Sequence, residues 1–422
     1  MKNSPLSFFD MKCCFLLILF FALPASGDNV KQDSHILSLW QERAWQRITD
    51  RENNLPFINS EMDKEYRLDV ENYAFSFKWN KKWQKEDNGF RFSFGSISRK
   101  ELYNIGELKA SVPFGSNSDL NISYFREESL EAKRDYLSFT VLDRDFFNTK
   151  FYSFYTINPY FEKQNIDLEI GFGKKFRSNL IQLSFGFPDL YNNVVYNMTD
   201  SIEEETYIEK PLAVRLEAVF LLSDNIEMQL FSGISNKTEK EFSFAENNKD
   251  FVESFNAGYL GASLSYFKDS YSFNLYATYQ SEEESKENGN ELIFNMENYL
   301  STLGFFFDKK LSHSLNINTD IKYILTKLTV DDYEDNDILG RLTLSYAYKP
   351  KFEPYIGLLF SHRETDKHPE FDFEGKNLRL ILGAEYRFNE NLSGNIGMSF
   401  DIDRNDDESI YDGGKFQVIG RW

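Results

Sequence analysis

The chain holds four histidines, His35, His313, His362 and His368. His362 and His368 lie among Glu364, Asp366 and Glu370. A hydrolase that sets a carboxylate behind a histidine general base needs these residue types close together. No catalytic motif surrounds them, and serine recurs too often for one to stand out as a nucleophile. No catalytic residue is assigned. Acidic runs are the second candidate chemistry. They are 201–210 (SIEEETYIEK), 282–290 (EEESKENGN), 331–337 (DDYEDND) and 401–407 (DIDRNDD). A calcium loop of the EF-hand kind needs a turn glycine and a closing glutamate. Segments 331–337 and 401–407 have neither. The runs read as solvated connections with weak Ca²⁺ or Mg²⁺ binding at most. No metal ligand and no cofactor is assigned. The two cysteines are Cys13 and Cys14, which leaves the rest of the chain without thiolate chemistry or disulfides.

Those cysteines fall in a segment with its own meaning. Residues 11–27 read MKCCFLLILFFALPASG. Lys12 is a basic start, 13–23 a short apolar run, and Ala25-Ser26-Gly27 a small-x-small cleavage site. Residues 1–27 are thus expected to be a secretory signal peptide, with Met11 as an alternative start. The apolar run is too short to cross a bilayer as a helix. Formal charge is -20, and losing Lys2, Lys12 and Asp10 with the signal takes it to -21. Such acidity argues against nucleic acid as a partner.

The remaining chain must be positioned by elements with two unlike faces. Mean hydropathy is -0.50, yet aromatic residues make up 17%. Excess Phe and Tyr among charged residues suits strands with one greasy and one wet face. The alternation is visible in Phe90/Phe92/Phe94, Leu168/Ile170/Phe172, Leu212/Val214/Leu216 and Leu378/Leu380/Leu382. Between such residues lie Asp167, Glu169, Arg215, Glu217, Asp320, Lys322, Arg341, Arg379, Glu385 and Arg387. In a soluble sandwich these would face bulk water. In a closed membrane barrel they would line a pore.

The connections favour the barrel. Short ones at 174–179, 223–225, 268–270, 309–312, 349–352 and 389–391 alternate with long ones at 189–209, 236–254, 281–295, 365–374 and 404–412. Membrane barrels have short periplasmic turns and long outer loops. About nineteen strand candidates can be drawn, an odd number for termini on one side. The weakest are 66–79 and 151–158. The expectation is therefore about eighteen strands, within a range of about 16–20. The chain ends on GGKFQVIGRW, with Phe416, Val418, Gly420 and Trp422 on one strand face.

This pattern resembles bacterial outer-membrane β-barrel, porin-like proteins over 66–422, and the ending resembles their assembly signal. The resemblance implies an all-β, antiparallel, up-and-down transmembrane barrel. It implies outer-membrane lipid, lipopolysaccharide and the barrel assembly machinery as partners; weak divalent bridging from the acidic runs to lipopolysaccharide phosphates is an intermediate reading of those runs. Before the barrel, Ile36, Leu37, Trp40, Ala44 and Ile48 recur at helical spacing. Residues 28–65 are expected to be a periplasmic or plug-like lead-in with a short amphipathic helix. Oligomeric state is left open. The expected function is passive passage of small hydrophilic solutes with weak cation preference. The alternatives are an export or assembly barrel for an extracellular polysaccharide, and a hydrolase at the barrel rim using His362.

Mass spectrometry of the membrane-inserted protein should find a mature terminus near Asp28, and an intact 13–23 segment would contradict the signal assignment.

Overall fold

Alternation of apolar and polar residues sends successive side chains to opposite faces of a pleated strand. In the computed structural model this produces one all-antiparallel sheet. The structure describes residues 89–421, leaving aside 98–100, 115–117, 130–132, 147–150, 161–164, 177–178, 193–203, 224, 244–250, 269, 289–290, 329–332, 367–374 and 403–410. The expected signal peptide, lead-in helix and strand 66–79 lie outside the described residues, as does Trp422.

Among the described residues there are twenty strands. The first ten are β1 (Gly89–Ile97), β2 (Glu101–Phe114), β3 (Ser118–Ser129), β4 (Lys133–Phe146), β5 (Phe151–Tyr160), β6 (Asn165–Phe176), β7 (Asn179–Asn192), β8 (Glu204–Glu209), β9 (Ala213–Ser223) and β10 (Ile226–Ser235). The others are β11 (Thr238–Ser243), β12 (Phe251–Lys268), β13 (Tyr271–Asn288), β14 (Glu291–Lys310), β15 (Leu315–Leu328), β16 (Tyr333–Tyr346), β17 (Phe352–Asp366), β18 (Gly375–Arg387), β19 (Leu392–Asp401) and β20 (Tyr411–Arg421). Each pairs with its chain neighbour, except that β7 pairs with β9 and β10 with β12. Strands β8 and β11 pair with each other outside that circuit. Eighteen strands therefore form the barrel. The circuit closes where β1 pairs with β20, from Gly89↔Arg421 to Ser96↔Gly414. The doubtful stretch 151–158 is a strand, β5.

The two faces are inverted relative to a soluble protein. Exposed residues include Phe92, Phe94, Phe172, Leu275, Phe305, Leu342 and Ile396. Buried residues include Asp167, Glu217, Gln229, Asp320, Arg341 and Gln417. An apolar outside around a polar inside is the pattern of a membrane-spanning barrel, because lipid wets the outer wall. Among the described residues no helix is long and apolar enough to cross a membrane.

All six short connections join the strands expected, and all lie at the end where β20 finishes. Aromatic residues gather there on the outer wall. Tyr266 stacks on Phe273 at 5.4 Å, Tyr346 meets Tyr348 at 6.4 Å, and Tyr386 meets Phe388 at 5.1 Å. Lys268 and Lys349 place their ammonium groups over Tyr271 and Tyr348, at 5.8 and 5.5 Å. Rings beside snorkelling lysines form an interfacial girdle. With the apolar wall, this identifies an outer-membrane β-barrel.

Three long connections differ from expectation. Segment 236–254 holds β11 and the start of β12. The acidic segment 282–290 is largely strand, since β13 runs to Asn288 and β14 begins at Glu291. Within 201–210, Glu204–Glu209 forms β8. Glutamate has low strand propensity, but cross-strand partners override it.

Glycines recur opposite aromatic residues in register. The rings of Tyr152, Phe154, Tyr259, Tyr276, Tyr355 and Phe90 occupy the space where Gly173, Gly171, Gly233, Gly304, Gly383 and Gly420 would place a Cβ. An aromatic ring thereby covers a bare stretch of backbone. This explains Gly420 in the last strand, where a larger apolar residue would be more usual: Phe90 fills its place.

A Cβ at Gly383 would press on the Tyr355 ring and the Ile396 carbonyl, whereas one at Gly106 would meet nothing within 4 Å. Gly383→Ala should cost about 1–3 kcal/mol as overpacking, and Gly106→Ala should stay within about 0.5 kcal/mol, measured by urea unfolding in lipid.

Candidate functional site

The inward face of the barrel carries the chain's buried charge. Asp167, Glu169, Arg215, Glu217, Asp320, Arg341, Arg379 and Glu385 are all buried. They share the strand phase opposite the exposed apolar residues. Lys322 is half-buried on the same phase. Arg387 is exposed at the short-turn end.

One group is built across β5, β6, β7, β9 and β10. Arg215 Nη1 lies 3.4 Å from Glu169 Oε1. Ser184 Oγ donates to the same oxygen at 2.6 Å. Next to it the Tyr152 hydroxyl donates to Gln182 Oε1 at 2.6 Å, and Gln182 Nε2 donates to Glu217 Oε2 at 3.5 Å. Further along, Gln229 Nε2 donates to Glu227 Oε1 at 2.5 Å. Charge, amide and hydroxyl are thus linked from strand to strand. A buried carboxylate needs such donors, because desolvation otherwise costs several kcal/mol.

A second group lies across the circuit on β14 to β19. Asn316 and Asn318 donate to Asp308 Oδ1 at 2.9 and 3.4 Å. Arg341 Nη2 donates to Asn318 Oδ1 at 2.9 Å, and Arg341 stands opposite Asp320 in register. Arg379 stands opposite Asp401. Arg387 bonds Glu385 at 3.2 Å and Glu353 at 3.3 Å. The Tyr355 hydroxyl donates to Asn395 Oδ1 at 2.9 Å.

Sequence reasoning missed the inward tyrosines. Tyr259 and Tyr355 are not among the pore-lining candidates, and Tyr152 falls in the doubtful stretch 151–158. Their phase was legible, since Tyr259 shares it with Gly261, Ser263 and Ser265. Small and polar neighbours at alternate positions mark a wet face.

The histidines form no comparable group. His362 shares the phase of exposed Leu358 and Phe360, and stands between Ile338 and Lys376 in register. It therefore belongs to the outer wall. His313 is exposed in the β14–β15 turn. His35 and His368 lie outside the described residues. Among the described residues, no cluster of three or more His, Cys, Asp or Glu could hold a metal ion. The segment 331–337 lies partly in β16, where Lys327 Nζ bonds Glu334 at 2.6 Å. Of 401–407, Asp401 and Ile402 are described. In the last strand Phe416 is exposed, Val418 half-buried and Gly420 covered by Phe90.

No protein-family model matches the chain, and no curated protein matches it in sequence. Solved structures with a similar course include OmpT, an outer membrane protein of Vibrio cholerae, at 10% identity and a TM-score of 0.38. That match covers 80% of this chain and 96% of that one. OccK2 of Pseudomonas aeruginosa gives 8% identity and a TM-score of 0.42, covering 79% and 97%. A bacterial polysaccharide outer membrane secretin gives 10% identity and a TM-score of 0.39, covering 80% and 98%.

Arg215 and Glu169 are both buried, so Arg215→Met should destabilise the barrel by about 3 kcal/mol, by stranding the carboxylate. Lys327→Met removes an exposed partner of Glu334 and should cost less than about 1 kcal/mol. Chemical unfolding of both variants in lipid checks the contrast.

Proposed function

We propose that the protein is a passive outer-membrane channel for small hydrophilic solutes, with a weak preference for cations. One observation carries this reading: the barrel turns its charged and hydrogen-bonding residues inward and its apolar residues outward. A barrel of this strand number can hold an aqueous lumen. Rings of charged side chains then tune which ions enter. Asp167, Glu169, Arg215, Glu217, Asp320, Lys322, Arg341, Arg379 and Glu385 are proposed to line the path, with Arg387 at its periplasmic mouth.

The sign of the preference follows from where the excess acid lies. Both signs are present on the inward face. The outer-end segments carry most of the surplus carboxylate, as in 282–290 and 331–337. Clustered carboxylates at a mouth raise the local cation concentration over a Debye length of about 10 Å at ~0.1 M salt. The hydrolase reading gains nothing from His362, which sits on the outer wall.

Reversal potentials across a salt gradient in planar bilayers test the proposal. A small cation preference is expected at ~0.1 M salt, fading near ~1 M, where the Debye length falls to about 3 Å. Anion preference at low salt would assign control to the inward arginines. Absence of any steady conductance would overturn the channel reading.

A further inference from the structure

The strands β12, β13 and β14 have 18, 18 and 20 residues, far more than the ~9–11 that a tilted crossing needs. The surplus lies at the end with the long connections, which faces outward in barrels of this kind. There β11 adds to β12 between Thr238↔Phe255 and Phe242↔Phe251, and β8 adds to β11. Five strands, in the order β8-β11-β12-β13-β14, thus project beyond the barrel as a sheet.

Its inner strands are tied to one another. Ser254 and Ser285 share a hydrogen bond of 2.6 Å. Asn256 Nδ2 donates to Glu283 Oε2 at 2.9 Å, and Lys286 pairs with Glu253 at 3.4 Å. The outermost strand is different. β14 pairs with β13 along its length, but with β15 only from Asn298 onward. Among the described residues, no strand covers the second edge from Glu291 to Met296. A register shift opposite Lys286 and Glu287 leaves Ile293 without a partner position in β13. Leu292 and Ile293 are consequently both exposed, at 56% and 55%. The stretch ELIFNM has neither the lysine nor the proline that commonly blunts a sheet edge.

We propose that this edge binds an extended, lysine- or arginine-rich peptide segment of another protein by strand addition. The incoming backbone would satisfy the N–H and C=O groups of the β14 edge. Its alternate side chains would rest against Leu292 and Ile293. Charge fixes the sign of the partner. Segment 282–297 carries Glu282, Glu283, Glu284, Glu287, Glu291 and Glu297 against Lys286. A cationic segment is drawn to this field, and a second copy of the same acidic chain is repelled by it. The inference is independent of whether the lumen conducts.

The test uses the full-length protein in nanodiscs and a fluorescein-labelled octapeptide of alternating lysine and valine, followed by anisotropy. Saturable binding is expected, with a Glu–Val octapeptide at least tenfold weaker. N-methylation of one alternate set of peptide residues should abolish binding, while methylation of the other set should leave it unchanged. Charge attraction alone would not make that distinction, so equal binding of the two methylated isomers overturns the proposal. The double variant Ile293→Lys/Asn295→Lys should weaken binding at least tenfold and keep wild-type heat-modifiable gel mobility. Self-association of the protein in detergent that the Lys–Val peptide does not compete would assign the edge to a second copy, and would also overturn it.

Discussion

The fold depends on the pairing of β1 with β20. In a bilayer core there is no water to satisfy a free backbone N–H or C=O, and each one left open costs several kcal/mol. An open sheet would present two such edges to lipid. Pairing from Gly89↔Arg421 to Ser96↔Gly414 removes both. The seam pairs small or polar residues, such as Ser93 with Gln417 and Gly95 with Lys415, with Phe92↔Val418 and Phe94↔Phe416 between them. The first and last of the described strands, which would each be an open edge in an uncurled sheet, are here each other's neighbours.

Closure also sorts the side chains. Once the sheet curls on itself, one phase of every strand must face inward and the other must face lipid. The outer phase spends its apolar surface on lipid contact, which explains why Phe92, Leu275 and Ile396 are exposed without being anomalous. The inner phase gathers Asp167, Glu169, Glu217 and Asp320 into an enclosed space. Donors on neighbouring strands hold two of them: Ser184 and Arg215 hold Glu169, and Gln182 holds Glu217. Proposed conduction and stability therefore draw on the same residues, and a change made to alter one would disturb the other.

Cross-strand packing refines this plan. Glycine is a poor strand residue by propensity, yet several glycines lie beneath a ring from the adjacent strand. Tyr259 over Gly233 and Tyr152 over Gly173 bring phenol groups to the inward face without widening the strand spacing. On the outer wall, Phe360 over Gly340 and Phe90 over Gly420 do the same for the lipid-facing surface. The device lets large aromatic side chains lie flat along the sheet on either face.

The sequence by itself determined the barrel class, a strand number of about eighteen and the end at which six short turns lie. Those properties are local. Side-chain direction has a period of two, so Leu168, Ile170 and Phe172 declare one face and Asp167 and Glu169 the other without reference to any partner. Turn length is equally local. The tertiary structure decided what depends on the adjacent strand. Glutamates in 282–288 read as a loop, yet pairing with β12 and β14 extends β13 through them. Tyr152, Tyr259 and Tyr355 carry no mark of their own along the chain, yet register sets them inward over glycines. His362 read as a possible base near carboxylates, yet its phase sends it to the outer wall. In each case the deciding contact comes from a residue distant in the chain, and spacing along one strand carries no record of which residue lies across from it.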